Sequence, residues 1–286
     1  MTQTPLQALH ERAKAGDGEA MALTAVAAAL GRGEPACWPE ALERLRRAAG
    51  LGSAFAEAQL EVLAQAGLER PPEPPAARQV LLADPAIQCL PGFLPQAACD
   101  WLISRAAGRL ARAETYDDKG GRRFNDSRNN SMVGFLVKDF DLVIVAIRAR
   151  IALAAGSKEE RLESPQVLHY APGQTFRPHY DFLDPGNEAY APELARLGQR
   201  LGTFLIYLNT GFEGGETDFP NLPLRYKGQT GDALFFANVL ASGAPDRRTL
   251  HAGLPPTSGE KWLLSQWIRT REPSPLAGAG PRSASA

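Results

Sequence analysis

Cysteine is scarce in this 286-residue sequence, and neither sign of charge is in excess. The three cysteines, Cys37, Cys89 and Cys99, show no C-x-x-C spacing, which predicts buried thiols rather than a disulfide framework or a zinc cluster. The 31 basic and 32 acidic residues are mixed along the chain. No basic surface is therefore expected for a phosphate backbone, which argues against nucleic acid as a partner.

Long apolar runs are also missing. The longest, MALTAVAAAL from Met21, is far shorter than the ~20 residues that span a bilayer. The N-terminal stretch MTQTPLQALHERAKAGDGEA lacks a basic start followed by an apolar segment, so it does not have the pattern of a secretory signal. We therefore expect a cytoplasmic protein without a membrane partner.

The N-terminal quarter of the chain has the composition of short helices. Residues 4–68 are rich in Ala, Leu, Glu and Arg and are interrupted by glycines. The stretches AGDGEAMALTA and AGLGSAFAEAQ match from Gly16 and Gly50 onward, which gives a period of 34 residues and resembles short tetratricopeptide-like repeats. Two units are too few to stand alone. We expect residues 1–70 to form a small all-α domain that leans on its neighbour, either as a peptide-binding arm or as a packing appendage.

Prolines in ERPPEPPAAR predict a stiff linker at residues 71–78. Beyond it, LPQAACDWLISRAAGRL and KDFDLVIVAIRARIALAAG have helical periodicity. From residue 165, eight short segments broken by Gly, Pro and Asn predict an antiparallel sandwich or jelly roll. The expected fold class is α+β, with a jelly-roll domain and flanking helices at residues 79–272, followed by a disordered tail at 273–286.

The hexapeptide RPHYDF places His179 and Asp181 two positions apart on a predicted strand, so both side chains point to one face. Alone, the pair is either a polar face turned to water or two-thirds of a metal site. His251, in TLHAGLP near the end of the β region, offers a third ligand if the jelly roll closes. Two histidines and one carboxylate leave three positions open on an octahedral ferrous ion, enough for a bidentate cosubstrate and dioxygen.

A lysine on an apolar strand adds to this pattern. Two neutral imidazoles and one carboxylate leave a ferrous site with net positive charge, which favours an anionic cosubstrate. In EKWLLSQWIR, Lys261 shares its face with Leu263, Ser265 and Trp267. An ammonium group there is costly to bury unless it is paired, and a dicarboxylate would pair it. The alternative is an edge-strand lysine that discourages aggregation.

Four segments in order carry a resemblance to a known family: VLHYAPGQTFRPHYDF, GQRLGTFLIYLNTGFEGGETDFP, GDALFF and TLHAGLPPTSGEKWLLSQWIR. Over roughly residues 80 to 271 the chain resembles the prolyl 4-hydroxylase branch of the Fe(II)/2-oxoglutarate-dependent dioxygenases. The resemblance implies a double-stranded β-helix core, with Fe(II), 2-oxoglutarate and O₂ as cofactor and cosubstrates. It leaves ascorbate open as a reductant.

The resemblance also implies roles for particular residues. The iron ligands, and with them the catalytic centre, are His179, Asp181 and His251, and Lys261 holds the distal carboxylate of 2-oxoglutarate. The same carboxylate is hydrogen-bonded by two further residues, for which a core tyrosine and a hairpin hydroxyl are the alternative interpretations: Tyr170 and Thr217.

The peptide-substrate groove of the family corresponds here to Arg200, Trp267 and Phe176. Phe176 stands where a peptide-binding tyrosine is common, so a phenolic hydrogen bond is missing. The implied reaction hydroxylates an unactivated C–H bond, most simply of a prolyl residue in a peptide or protein, and releases succinate and CO₂. A peptide or protein partner would use the groove and the repeat arm. Two hypotheses stand beside this one: a hydroxylase of a free amino acid or other small molecule, and a non-catalytic repeat-containing adaptor.

Overall fold

The computed structural model describes residues 4–70, 72–75, 77–116, 122–124 and 126–272. The predicted tail at 273–286 lies outside these residues. The described helices are α1 Pro5–Lys14, α2 Gly18–Ala29, α3 Trp38–Gly50, α4 Ala54–Gln65, α5 Gln96–Ala107, α6 Leu142–Ala154 and α7 Ala191–Leu197. The described strands are β1 Gln79–Leu82, β2 Ile87–Leu90, β3 Ala111–Arg112, β4 Thr115–Tyr116, β5 Arg122–Arg123, β6 Ser131–Gly134, β7 Gln166–Tyr170, β8 Phe176–His179, β9 Arg200–Tyr207, β10 Phe212–Gly214, β11 Thr217–Phe219, β12 Leu224–Tyr226, β13 Ala233–Ala237, β14 His251–Gly253, β15 Pro256–Gly259 and β16 Lys261–Arg269.

Helices α1 to α4 form the N-terminal arm, and their N-caps are 33 residues apart for α1 and α3 and 36 residues apart for α2 and α4. Asp17 and Ser53 cap α2 and α4, each accepting a hydrogen bond from the backbone N–H three residues further on. Gly16 and Gly52 precede these caps with φ of 91° and 85°, a conformation that favours glycine. The expected period of 34 lies between these two cap spacings, and the tetratricopeptide-like character of the repeat stays a prediction.

The arm packs against α5 and α6. The Phe55 ring stacks on Trp101 with centroids 5.6 Å apart, and the Arg105 guanidinium lies 4.8 Å from the Phe55 centroid. The Gln59 side-chain oxygen accepts a 2.9 Å hydrogen bond from the backbone N–H of Leu142, at the start of α6. Apolar residues of the arm and of the following domain belong to one buried cluster. The arm thus shares its core with the domain that follows.

Two antiparallel sheets form the jelly roll. The major sheet has the order β1-β2-β13-β9-β16-β7-β6-β3, and the minor sheet has the order β12-β11-β14-β8. The alternation of β16 divides its side chains: Trp262, Leu264 and Ile268 join the cluster that contains α5 and α6, whereas Lys261 and Leu263 line a cavity on the other face. The helices therefore cover the back of the major sheet, and the arm lies behind the helices. The predicted α+β jelly-roll class is confirmed.

Ten strands lie between residues 165 and 272, two more than the sequence predicts. The additional pair is β10 with β15, which lie antiparallel in a sheet of their own. Their residues include Glu, Gly, Pro and Ser, which are poor strand formers, so the pattern does not reveal them.

The prediction of buried thiols holds for Cys89 and Cys99 and was wrong for Cys37, which is exposed just before α3. In the described part of the chain, no helix has the length and apolarity needed to cross a membrane.

Candidate metal centre

Two neighbouring strands of the minor sheet bring the predicted ligands together. His179 ends β8, His251 begins β14, and the two residues lie opposite each other in the antiparallel register. Asp181 follows β8 by two residues. Its carboxylate oxygens lie 3.8 Å from His179 Nε2 and 3.5 Å from His251 Nε2. One ligand atom from each residue lies within 4.8 Å of the others, a spacing that suits coordination of one ion.

Backbone carbonyls orient both imidazoles. The Nδ1 of His179 lies 2.9 Å from the Arg177 carbonyl oxygen, and the Nδ1 of His251 lies 3.1 Å from that of Thr249. Because a carbonyl oxygen only accepts, each Nδ1 carries the proton and each Nε2 keeps its lone pair for a metal. Two neutral imidazoles and one carboxylate form the donor set that suits Fe(II) with open positions. The residues present therefore fit iron(II).

The Asp181 carboxylate is held by a side chain that the sequence analysis did not identify. The Thr203 hydroxyl donates a 2.7 Å hydrogen bond to Asp181 Oδ2, and Asn238 Nδ2 donates in turn to Thr203 Oγ1 at 3.0 Å. Thr203 and Asn238 are buried. The carboxylate is thus fixed by a short chain of hydrogen bonds, as is typical of metal-binding carboxylates.

The electrostatics of His179 and Asp181 favour the protonation states that a metal requires. Burial, together with the charge of nearby His251, lowers the pKa of His179 to about 3, so this imidazole is neutral near pH 7. Burial raises the pKa of Asp181, but the two imidazoles and the Thr203 hydroxyl outweigh burial and lower it. A neutral histidine and a charged aspartate can bind a cation without first losing a proton.

Lys261 lies at the start of β16 with its ammonium group in the same cavity. The residue is fully buried, and its Nζ has no hydrogen-bond partner among the described residues. Its pKa is lowered to about 7 by burial, while Glu216 raises it and Lys227 lowers it. Buried donors are nearly always paired in folded proteins. An unpaired ammonium beside a ferrous ligand set therefore suits an anion that enters from outside.

The two residues predicted to bind the distal carboxylate, Tyr170 and Thr217, line the same cavity as Lys261. Tyr170 lies opposite Lys261 in the β7–β16 register, and its ring centroid is 5.1 Å from Lys261 Nζ. Thr217 lines the same cavity, and its hydroxyl lies 2.9 Å from the Tyr207 hydroxyl. Tyr207 in turn donates to the Tyr226 carbonyl oxygen at 3.0 Å. Tyr207 was missed by sequence reasoning because it reads as one more apolar residue of β9.

Comparison with known proteins identifies the family. Residues 165–269 match the 2OG-Fe(II) oxygenase superfamily, and this span contains His179, Asp181, His251 and Lys261. Prolyl 4-hydroxylase 1 of Arabidopsis thaliana is 34% identical over 212 residues, which cover 68% of this chain and 73% of the relative. Probable prolyl 4-hydroxylase 6 of the same plant is 34% identical over 203 residues, with coverages of 63% and 67%. The chain belongs to the prolyl 4-hydroxylase family of 2OG-Fe(II) oxygenases.

A solved relative agrees with this assignment. The viral collagen prolyl hydroxylase of Paramecium bursaria Chlorella virus-1, determined as a 2-oxoglutarate complex, is 33% identical and has a TM-score of 0.51. The similarity covers 65% of this oxygenase and 96% of the viral chain. The predictions of the family, of the jelly-roll core and of iron(II) with 2-oxoglutarate and O₂ are confirmed.

Two of the three predicted substrate residues line the metal-site cavity, and the third lies behind one of them. Phe176 and Trp267 line the cavity, and the Phe176 ring stacks on the His179 imidazole with centroids 3.4 Å apart. Arg200 lies behind Trp267, with its guanidinium 3.5 Å from the indole centroid. Arg200 is also ion-paired with Glu163 at 2.7 Å. The structure thus places Arg200 in contact with Trp267 and Glu163, and its role in substrate binding stays a prediction.

Arg128 is a cavity residue that the sequence analysis missed. Its guanidinium lies 4.4 Å from the Phe176 centroid, and only 7% of the residue is exposed. Arg128 occurs in NDSRNNS, outside any regular strand, and reaches the cavity through an isolated bridge to Phe176. A polar loop sequence gives no periodic signal that a cationic side chain turns inward.

Removal of the Thr203 hydroxyl is expected to weaken iron binding. Thr203→Val keeps the shape of the side chain and deletes the hydrogen bond to Asp181, so the affinity for iron(II) should fall by roughly 10- to 100-fold. The measurement is an anaerobic iron(II) titration with a competing chelator. Thr24→Val is the matched control, because Thr24 is a buried threonine of the arm whose hydroxyl bonds the Met21 carbonyl oxygen. Equal iron affinities for the two variants would contradict the role of Thr203.

Binding of 2-oxoglutarate is expected to depend on pH through Lys261. Its pKa of about 7 leaves much of the ammonium neutral at higher pH, and a bound carboxylate would raise that pKa. Above the pKa of Lys261, binding of 2-oxoglutarate should therefore take up a proton, and the affinity for 2-oxoglutarate should fall by up to about tenfold per pH unit. Well below this pKa, binding should take up no proton. Calorimetry in two buffers of different ionisation enthalpy measures this uptake. A buffer-independent enthalpy on both sides of the pKa would show that Lys261 is not the group involved.

Proposed function

We propose that this oxygenase hydroxylates an unactivated C–H bond of a prolyl residue in a peptide or protein. In the reaction, 2-oxoglutarate and O₂ are consumed, one oxygen atom enters the substrate as hydroxyl, and succinate and CO₂ are released. The observation that carries the proposal is the His179, Asp181 and His251 set in one cavity with the unpaired ammonium of Lys261. The substrate class is supported by relatives that are named prolyl 4-hydroxylases.

Different residues of this chain would bind the metal and the cosubstrate. His179, Asp181 and His251 would hold iron(II), which together with 2-oxoglutarate supplies the oxidising chemistry of the C–H bond. Lys261 and the Tyr170 hydroxyl would donate to the distal carboxylate of the cosubstrate. The apolar walls of the same cavity exclude water and so strengthen these electrostatic contacts: Leu168, Leu205, Leu263 and Trp267.

The catalytic class has a direct test. Purified protein supplied with iron(II) should convert 2-oxoglutarate to succinate, and a prolyl peptide should gain one oxygen atom by mass spectrometry. Asp181→Ala should abolish both products. Succinate formation that survives Asp181→Ala would argue against the proposal.

Hydroxylation of a free amino acid or another small molecule is the second candidate. Phe176 favours it, because the phenolic hydrogen bond that a tyrosine would offer a peptide is absent. Comparing kcat/KM for free proline with that for prolyl peptides separates the two candidates. The non-catalytic adaptor has weaker support, since a protein without activity has no physical need for an unpaired buried Lys261 beside a complete ligand set.

We further propose that the arm contacts protein substrates away from the reacting residue. None of the described arm residues lines the iron cavity, and the arm has a groove of its own between α1, α2 and α3. Deleting residues 1–76 would expose Trp101, so a gentler variant is preferable: Arg47→Glu changes an exposed residue of this groove. It should lower kcat/KM for a whole protein substrate and leave that for a short peptide unchanged. Equal values for the protein substrate would favour a purely packing role.

We also propose ascorbate as a reductant. Its addition should raise the total number of turnovers in air and leave the identity of the product unchanged. An equal number of turnovers with and without ascorbate would contradict this proposal.

A further inference from the structure

Two cationic side chains and one carboxylate line the iron cavity in the described part of the chain: Lys261, Arg128 and Asp181. If 2-oxoglutarate binds as proposed, the positive charges of iron(II) and protonated Lys261 are balanced by the negative charges of Asp181 and the cosubstrate dianion. The imidazoles of His179 and His251 are neutral ligands. Of the charges that the described residues bring to the cavity, only that of Arg128 is then left without a counter-charge.

The other buried arginines near the site have partners already. Arg200 and Arg269 both contact the carboxylate of Glu163, at 2.7 Å and 2.5 Å. Arg269 also pairs with Glu193 of α7. These two arginines and two glutamates form a neutral group, so neither glutamate is left to compensate Arg128.

Within the described part of the chain, the hydrogen-bond contacts of Arg128 are with neutral groups. Its Nε donates a 3.1 Å hydrogen bond to the Asn130 side-chain oxygen, while its terminal nitrogens make long contacts with the Glu114 carbonyl oxygen at 3.5 Å and the Met132 sulfur at 3.7 Å. The guanidinium lies over the Phe176 ring. No carboxylate lies within ion-pair distance of Arg128 among the described residues. A charge buried without a partner is costly, and in a substrate cavity the ligand is the natural partner.

We propose that Arg128 is a specificity-determining residue, and that the substrate presents a carboxylate to it close to the carbon that is hydroxylated. This inference rests on the proposed function, because it assumes that 2-oxoglutarate occupies Lys261. The planar fork of a guanidinium matches a carboxylate with two parallel hydrogen bonds. Three sources offer this group: an acidic side chain beside the proline, the C-terminal carboxylate of a peptide that ends in proline, and a free amino acid.

Matched substrates distinguish these sources. One pair of peptides carries Glu or Gln beside an internal proline, a second pair ends in proline as the free acid or the amide, and a third pair is free proline and its amide. In at least one pair, kcat/KM for the acid should exceed that for the neutral partner by about 10- to 100-fold, as expected for a charge-assisted hydrogen bond. The pair that shows the ratio identifies the source.

Variants of Arg128 test whether this residue causes the higher kcat/KM for the acid. Arg128→Met should abolish the preference for the acid, and Arg128→Lys should keep part of it, because the charge remains and the fork is lost. Arg225→Met is the matched control, since Arg225 is an exposed arginine of β12 and its loss changes the net charge equally. The control should keep the full ratio, and circular dichroism checks that each variant is folded.

Binding of the same pairs under anaerobic conditions gives a readout that needs no turnover. Tighter binding of the acid that is lost in Arg128→Met supports the inference even if no pair member is hydroxylated, in which case the proposed function alone fails. Equal affinity and equal kcat/KM for acid and neutral members of every pair would overturn the inference. So would a preference for the acid that survives Arg128→Met unchanged.

Discussion

Replacing His251 with alanine should remove both iron and turnover. His251 supplies one of the three ligand atoms, and its ring packs 4.3 Å from that of His179, so its loss leaves one imidazole and Asp181 to hold the ion. We expect bound iron to fall to background after anaerobic purification and succinate formation to fall by at least about a thousandfold. Metal analysis and quantification of succinate measure the two effects independently.

His169→Ala is the matched control for this change. His169 lies on β7 outside the cavity, where its ring packs 4.4 Å from Trp262 and its Nε2 contacts the exposed Glu260 at 3.1 Å. The control should keep normal iron content and succinate formation. Full iron content and normal turnover in His251→Ala would refute the assignment of the metal centre.

Replacing Lys261 with alanine should act on the cosubstrate rather than on the metal. The buried ammonium has no partner among the described residues, so we expect a bound carboxylate to be its partner. Loss of a buried charge partner is costly because the remaining carboxylate is left unpaired. The KM for 2-oxoglutarate should rise by about 100-fold or more, while the iron content stays within about twofold of wild type.

Lys227→Ala is the control for Lys261→Ala. Lys227 is a second lysine near this end of the cavity, but its Nζ already donates to the Phe212 carbonyl oxygen at 2.7 Å. Its removal should change the KM for 2-oxoglutarate only slightly. If Lys261→Ala and Lys227→Ala raised the KM equally, the effect would come from general charge rather than from a specific contact. An unchanged KM in Lys261→Ala would contradict the assigned role.

His179, Asp181 and Lys261 could be predicted from the sequence because their signals are local. His179 and Asp181 share a face through the two-residue period of a strand, and Lys261 interrupts an apolar face with the same period. The spacing of the turn residues predicted an antiparallel sandwich or jelly roll, and the resemblance to the family favoured the jelly roll. What the sequence could not show is the register that sets His251 opposite His179, since that pairing depends on closure of the whole domain.

The residues that support the site were missed for a physical reason. Thr203 and Tyr207 lie on β9, a nearly continuous apolar strand, where a hydroxyl is indistinguishable from a packing residue until its partner across the sheet is known. Arg128 comes from a polar loop sequence. The substrate roles of Arg200, Trp267 and Phe176, the disordered tail, the cytoplasmic location and the absence of nucleic-acid or membrane partners stay predictions.

The source of the added oxygen tests the central claim most directly. The protein is incubated with iron(II), 2-oxoglutarate and a prolyl peptide under isotopically heavy O₂, and peptide and succinate are analysed by mass spectrometry. The account predicts that one heavy oxygen atom enters a prolyl residue and that succinate forms in equal amount, with Asp181→Ala as the inactive reference. A hydroxyl group derived from water, or peptide oxidation without succinate, would contradict the account.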